Sequence, residues 1–278
     1  MKPVLSKQKF ATILIALLMG VLALSASVSY ASNPDVLVSV LKCKKYAPFP
    51  KDGHPEVLFI RSHVFDQNSP TVNVIISFHG FEDIVTRPTS VEINQDGFGG
   101  AYGNSTDTIM IVPQLKYNEA RRAAGKMEEK YGLEKLIIDV FRKEHISGMI
   151  GRVTIVAYSG GYWAAIKSAI NNPGLDIRNI AFIDTLYWHA DDLLDWLGDN
   201  GKRRAVVFVS EEKDSVTAKT YFSGTISYFF DAPPTELTEE NFFLSTTSLG
   251  QLTVVNTKKT HEQIRAIIGP VLGKMKGE

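Results

Sequence analysis

The sequence predicts an α/β domain built on a mostly parallel, eight-stranded sheet with helices on both faces. Two observations predict it. Eight short runs are apolar almost throughout, without the polar alternation of a strand that has one wet face. From the fourth run onward, amphipathic stretches of helical length separate most of them. Parallel strands need crossovers, and a sheet apolar on both faces needs cover on both; this alternation supplies each. No internal repeat, low-complexity tract or linker divides residues 32–278, which read as one domain with a sizeable core.

The elements follow in order. Val36–Leu41 (VLVSVL) and Val57–Ile60 (VLFI) are the first two strands, joined by the turn-rich YAPFPKDGHP. Val72–Phe78 (VNVIISF), Thr108–Val112 (TIMIV) and Val153–Ala157 (VTIVA) come next. Ile180–Ile183 (IAFI), Ala205–Val209 (AVVFV) and Leu252–Val255 (LTVV) complete the eight. Helices are expected at Leu133–His145, Tyr162–Asn171, Asp191–Leu197 and His261–Lys274. Three longer connections remain: Gly80–Asp107, Lys116–Gly132 and Thr217–Ser248. Within the first, the glycine-rich DGFGGAYGN (Asp96–Asn104) reads as a flexible loop beside the site, lacking the spacing of a nucleotide-binding motif. Only about twenty residues separate the sixth and seventh strands, room for one helix and no large cap.

The first residues bear on compartment. Lys2, Lys7 and Lys9 precede the apolar run Phe10–Leu24, and Ser29-Tyr30-Ala31 places small residues where a signal peptidase reads. Residues 1–31 are therefore expected to be a cleavable secretory signal, cut after Ala31. The apolar run is short for a bilayer span, so no stable membrane anchor is expected after cleavage. The expected location is the periplasm or the exterior of a bacterial cell. Residues 1–31 hold three of the 30 Lys+Arg and none of the 30 Asp+Glu, so residues 32–278 carry a net charge of −3. That balance argues against nucleic acid as a partner. One cysteine, Cys43, excludes an internal disulfide. His189 with Asp191 and Asp192 lacks a further ligand at fitting spacing, so no metal is expected, and no cofactor.

The chemistry is expected at TIVAYSGGYWAA (Thr154–Ala165). A β-branched run meets a helical one at Ser159, and Ala157 and Gly161 leave room for a sharp turn there. A nucleophilic serine needs a base, a residue that orients the base, and donors for the oxyanion. His261 follows the eighth strand and opens the last helix. Two carboxylates compete for the orienting place: Asp184, at the end of the sixth strand, and Asp214, after the seventh. The Gly160 N–H, at the helix start, faces where an oxyanion would develop, and Phe81 or Gly80 in SFHGFED would supply a second N–H. His79, Tyr158 and Trp163 are candidates for the substrate pocket, His79 also for holding the oxyanion loop.

Small-x-Ser-x-Gly after strand five, His-Gly after strand three and a late histidine together resemble the α/β-hydrolase fold superfamily, over essentially all of residues 32–278. A looser likeness is to uncharacterised bacterial hydrolases with HFHG, a PQ pair, HSGG and LLD-x-LYG; the counterparts here are SFHG, Pro113-Gln114, YSGG and FIDTLYW. That likeness favours Asp184 as the acid, whereas the usual position in the fold favours Asp214. The resemblance implies a serine hydrolase acting on a small or envelope-derived acyl substrate: an ester first, with thioester and amide open. A periplasmic peptidase or amidase, and a non-catalytic binding protein of the same fold, are the alternatives.

Overall fold

A computed structural model describes residues 35–43, 56–80, 83–116, 125–185, 190–209, 252–256 and 260–275. Eight strands form one sheet: β1 (Val36–Lys42), β2 (Glu56–Ser62), β3 (Thr71–Phe78), β4 (Thr108–Pro113), β5 (Met149–Tyr158), β6 (Asp176–Ile183), β7 (Arg204–Val209) and β8 (Leu252–Asn256). Their spatial order is β1-β2-β4-β3-β5-β6-β7-β8. The six strands from β4 to β8 along that order pair in parallel, whereas β2 runs antiparallel to both β1 and β4. The sheet is thus mixed, with its parallel part central.

Alternate residues of the central strands feed two cores, as the two-residue period of a pleated strand requires. Phe59, Val74, Ile76, Ile109 and Ile111 face one, packed under α2 (Gly132–Lys143), α3 (Tyr162–Asn171) and α4 (Ala190–Gly198). Leu58, Ile60, Ile75, Met110 and Val112 face the other. That second core lies under α1 (Pro88–Tyr102), α5 (His261–Ile264) and α6 (Ile268–Met275), the last two joined by a single tight turn, Arg265–Ile267. This double cover explains why the strands read as unbroken apolar runs.

One expectation needs correction. Asp96–Tyr102, most of the segment read as a flexible glycine-rich loop, form the C-terminal half of α1, a fifteen-residue helix with proline in its first turn. Glycine is a poor helix former, so local propensity argued against this assignment. Packing decides it. A Cβ on Gly97 would lie 3.2 Å from Ile268 Cγ2 and 3.3 Å from the Gly269 nitrogen, and one on Gly269 would lie 3.1 Å from the Gly97 Cα. The glycines let α1 and α6 approach backbone to backbone, while Val91, Phe98 and Tyr102 fill the core below. Between β6 and β7 the described residues hold one helix of nine residues, α4. The Thr217–Ser248 connection lies outside the described residues.

Candidate active site

Side chains from the turn after β5, the residue after β6 and the first residue of α5 meet at the carboxyl ends of the central parallel strands. β5 ends at Tyr158; Ser159–Gly161 form a single tight turn, and α3 begins at Tyr162. Ser159 has φ 49°, a left-handed conformation that costs a non-glycine residue about 1–3 kcal/mol. The surroundings hold it there: the Thr185 hydroxyl donates to the Ser159 carbonyl. Glycine is required beside it, because a Cβ on Gly161 would lie 2.8 Å from the Phe78 carbonyl oxygen. Gly80 is also tightly enclosed. Its Cβ would come within 3.1 Å of both Ser159 Cβ and the Tyr158 ring.

Asp184 directly follows β6 and also takes a left-handed backbone, φ 47°, while its N–H donates to the Phe208 carbonyl at 2.9 Å. His261 is placed by a reciprocal cap. Thr260 Oγ1 accepts from the Gln263 N–H at 3.3 Å, and the Gln263 side chain accepts from the Thr260 N–H at 3.1 Å. The imidazole then bridges the other two groups: Nδ1 lies 2.6 Å from Asp184 Oδ2, and Nε2 lies 3.0 Å from Ser159 Oγ. A carboxylate only accepts, so Nδ1 carries the ring proton and Nε2 turns its lone pair to the serine hydroxyl. Tyr158 steadies the histidine twice. Its ring stacks on the imidazole at 4.9 Å, and its hydroxyl donates to the His261 carbonyl at 3.0 Å. Chemically, such a chain of hydrogen bonds can take a proton from Ser159 as its oxygen attacks.

A second network lies against this one. His79 is buried; its Nδ1–H donates to the Gly80 carbonyl at 2.7 Å, and its Nε2 accepts from the Leu115 N–H at 2.7 Å. Burial pushes the His79 pKa down, against the opposing pull of the Asp83 charge and the Gly80 carbonyl, so the ring is held neutral. Gln114, just past β4, pins the same loop. Its Oε1 accepts from the Val85 N–H at 2.9 Å, and its Nε2 donates to the Asp83 carbonyl at 3.0 Å. Arg265 reaches back from the turn after α5 to the Asp83 carboxylate and lies 5.3 Å from the centre of the Tyr158 ring.

The structure therefore brings together Ser159, His261, Asp184, Tyr158 and Gly80, with His79 one residue away. Gly160 sits in the turn that opens α3, where N–H groups have no intrahelical acceptor. Trp163 packs against the core under α3, its indole N–H donating to Glu128 at 2.9 Å. Phe81 and Asp214 lie outside the described residues. Among the described residues, no group of three or more His, Cys, Asp or Glu could hold a metal ion. From the sequence, Gln114 stood out only as part of the Pro113-Gln114 pair, and Thr185 and Arg265 were assigned no role. The one sequence signal for Arg265 is its spacing of four residues from His261, which favours the same helix face.

No protein-family model matches the chain, and no curated protein does. Solved structures do. A structure designated FAE superposes with a TM-score of 0.53 at 12% identity, covering 78% of this chain and 82% of that one. A serine-to-alanine mutant of the feruloyl esterase module from Clostridium thermocellum, complexed with sinapinate, also gives a TM-score of 0.53, at 9% identity and over 90% and 93% of the two chains. At such identities the likeness speaks for the backbone. Together with the strand order and the sharp turn after β5, it identifies the architecture of this chain as the α/β-hydrolase fold.

Proposed function

We propose that this chain is an exported serine hydrolase that cleaves carboxylic esters through an acyl-enzyme. The observation that carries the proposal is the hydrogen-bonded chain from Ser159 through His261 to Asp184, built on a strained turn. Strain of this kind persists only where the surroundings impose it, and a binding protein has no use for these three groups in this order. An ester is the first choice of substrate because the leaving group needs the least assistance. The presence of a feruloyl esterase module among the structures sharing the fold supports that choice.

In the proposed cycle, Ser159 Oγ attacks the acyl carbon while His261 Nε2 takes its proton. Asp184 keeps the proton on Nδ1 and stabilises the imidazolium as it forms. The tetrahedral oxyanion is held by the Gly160 N–H and a second N–H from Phe81 or Gly80. His261 then returns the proton to the leaving alkoxide, and water, activated by the same imidazole, releases the acid. Export follows from the expected signal at residues 1–31, which lie outside the described residues. No helix among the described residues is long and apolar enough to cross a membrane.

Labelling with a fluorophosphonate tests the proposal. The folded protein incorporates one label and hydrolyses p-nitrophenyl acetate, and Ser159→Ala abolishes both. A folded protein that takes no label refutes the hydrolase and leaves the non-catalytic binding protein. Labelling with turnover of aminoacyl p-nitroanilides but not of esters replaces the esterase with an amidase or peptidase.

A further inference from the structure

We infer that Arg265 is a positioning residue that locks the oxyanion-side loop to the helix carrying His261; the inference rests on the hydrolase reading above. Arg265 lies four residues after His261 and meets three partners that belong to different parts of the site. Nη2 donates to the Asp83 carboxylate, in the loop that follows Gly80, and to Ser90 Oγ at 3.2 Å, at the start of α1. The guanidinium also lies 5.3 Å from the ring centre of Tyr158, the residue that precedes the serine and stacks on the imidazole. Ser90 Oγ closes the triangle by donating to Asp83 at 3.2 Å.

The ion pair differs from an ordinary surface one. The Arg265 and Asp83 side chains are only 15% and 13% exposed, so salt and water screen them weakly. Asp83 is also fixed through its backbone, where its carbonyl accepts from Gln114. The loop is thus fastened at one residue to β4 through Gln114 and to the histidine helix through Arg265. A group that raises the serine, a group that takes its proton and a loop that faces the oxyanion must keep their relative places within fractions of an ångström during turnover. Arg265 touches none of the reacting atoms. It ties together the pieces that do.

The test compares Arg265→Gln, Arg265→Lys, Asp83→Asn and the Arg265→Gln/Asp83→Asn double variant. For each, kcat and KM for p-nitrophenyl acetate are measured, with kcat expressed per site titrated by fluorophosphonate. Arg265→Gln should lower kcat per titrated site by about 10–100-fold with KM changed less than about threefold. Arg265→Lys, which keeps the charge but loses the planar fork, should recover part of the loss. The double variant should fall no further than the worse single one, since both remove the same contact. If Arg265→Gln does not fold, Arg265→Lys and Asp83→Asn report on the same contact from either end. A kcat per titrated site equal to wild type in the folded variants overturns the inference, however far their melting temperatures drop. A wild type that takes no label overturns the hydrolase reading itself, and this inference with it.

Discussion

Replacing Asp184 by asparagine tests the chemistry at its most sensitive point. The change keeps the side-chain volume, in a position only 4% exposed, but alters two things. It removes the negative charge that, in the proposed cycle, faces the imidazolium formed when His261 takes the serine proton. At an effective dielectric constant of about 20, charges about 4 Å apart interact by about 4 kcal/mol, or about a thousandfold in rate. It also places an amide where an acceptor stood 2.6 Å from Nδ1. An amide that turns its NH2 toward Nδ1 drives the proton to Nε2, and Nε2 then cannot accept from Ser159. Both effects act in the transition state, so kcat should fall by about 10³–10⁴-fold while KM changes little. Steady-state hydrolysis of p-nitrophenyl acetate measures the loss, and circular dichroism with a thermal melt shows that the variant folds. Asp214→Asn is the control and should retain kcat within about threefold. Near-normal turnover in folded Asp184→Asn, with Asp214→Asn crippled, would refute the assignment of the acid.

Three further outcomes follow from the structure. Gly161→Ala forces a Cβ to 2.8 Å from the Phe78 carbonyl, and overpacking of about 1–3 kcal/mol should lower the melting temperature by several degrees; an unchanged calorimetric melt would contradict the close approach. His79 is buried with its pKa pushed below the ordinary value, so below about pH 6.5 the unfolded chain binds a proton that the folded one refuses. The stability this confers is present above that pH and is lost as pH falls, with a slope approaching about 1.4 kcal/mol per pH unit. Urea melts at pH 7.5 and 5.0 should show the folding advantage of wild type over His79→Asn shrinking at the lower pH, and a constant difference would disprove the linkage. The Cys43 thiol is pushed up to about 12, first by burial and then by the Asp139 charge, and its side chain is buried. It should resist dithiobisnitrobenzoate at pH 8 in the native protein and react on unfolding, whereas equal rates in the two states would show the site to be open.

The sequence by itself determined the existence and chain order of the strands, because a strand buried on both faces must be apolar at nearly every position; β2, β5 and β6 nonetheless run beyond the apolar runs that marked them, through polar residues such as Arg152 and Asn179. Val74-Ile75-Ile76 and Ile109-Met110-Ile111 carry that requirement in three consecutive residues each, and their side chains divide between the two cores. It also marked the turn at Ser159, since only small neighbours fit beside a tight bend between strand and helix. The α1 glycines were decided elsewhere: glycine stands at position 97 of the helix because α6, at Ile268 and Gly269 far along the chain, leaves little space for a side chain between the two helices. The polar contacts of the site were settled the same way. His261 meets Asp184 across 77 residues and Arg265 meets Asp83 across 182, while Gln114 binds Asp83 across 31. Burial leaves a local, repeating imprint on a sequence because every residue on a face feels it. A hydrogen bond between two side chains is a single pairwise event, and only the folded backbone decides which polar groups come within 3 Å of one another.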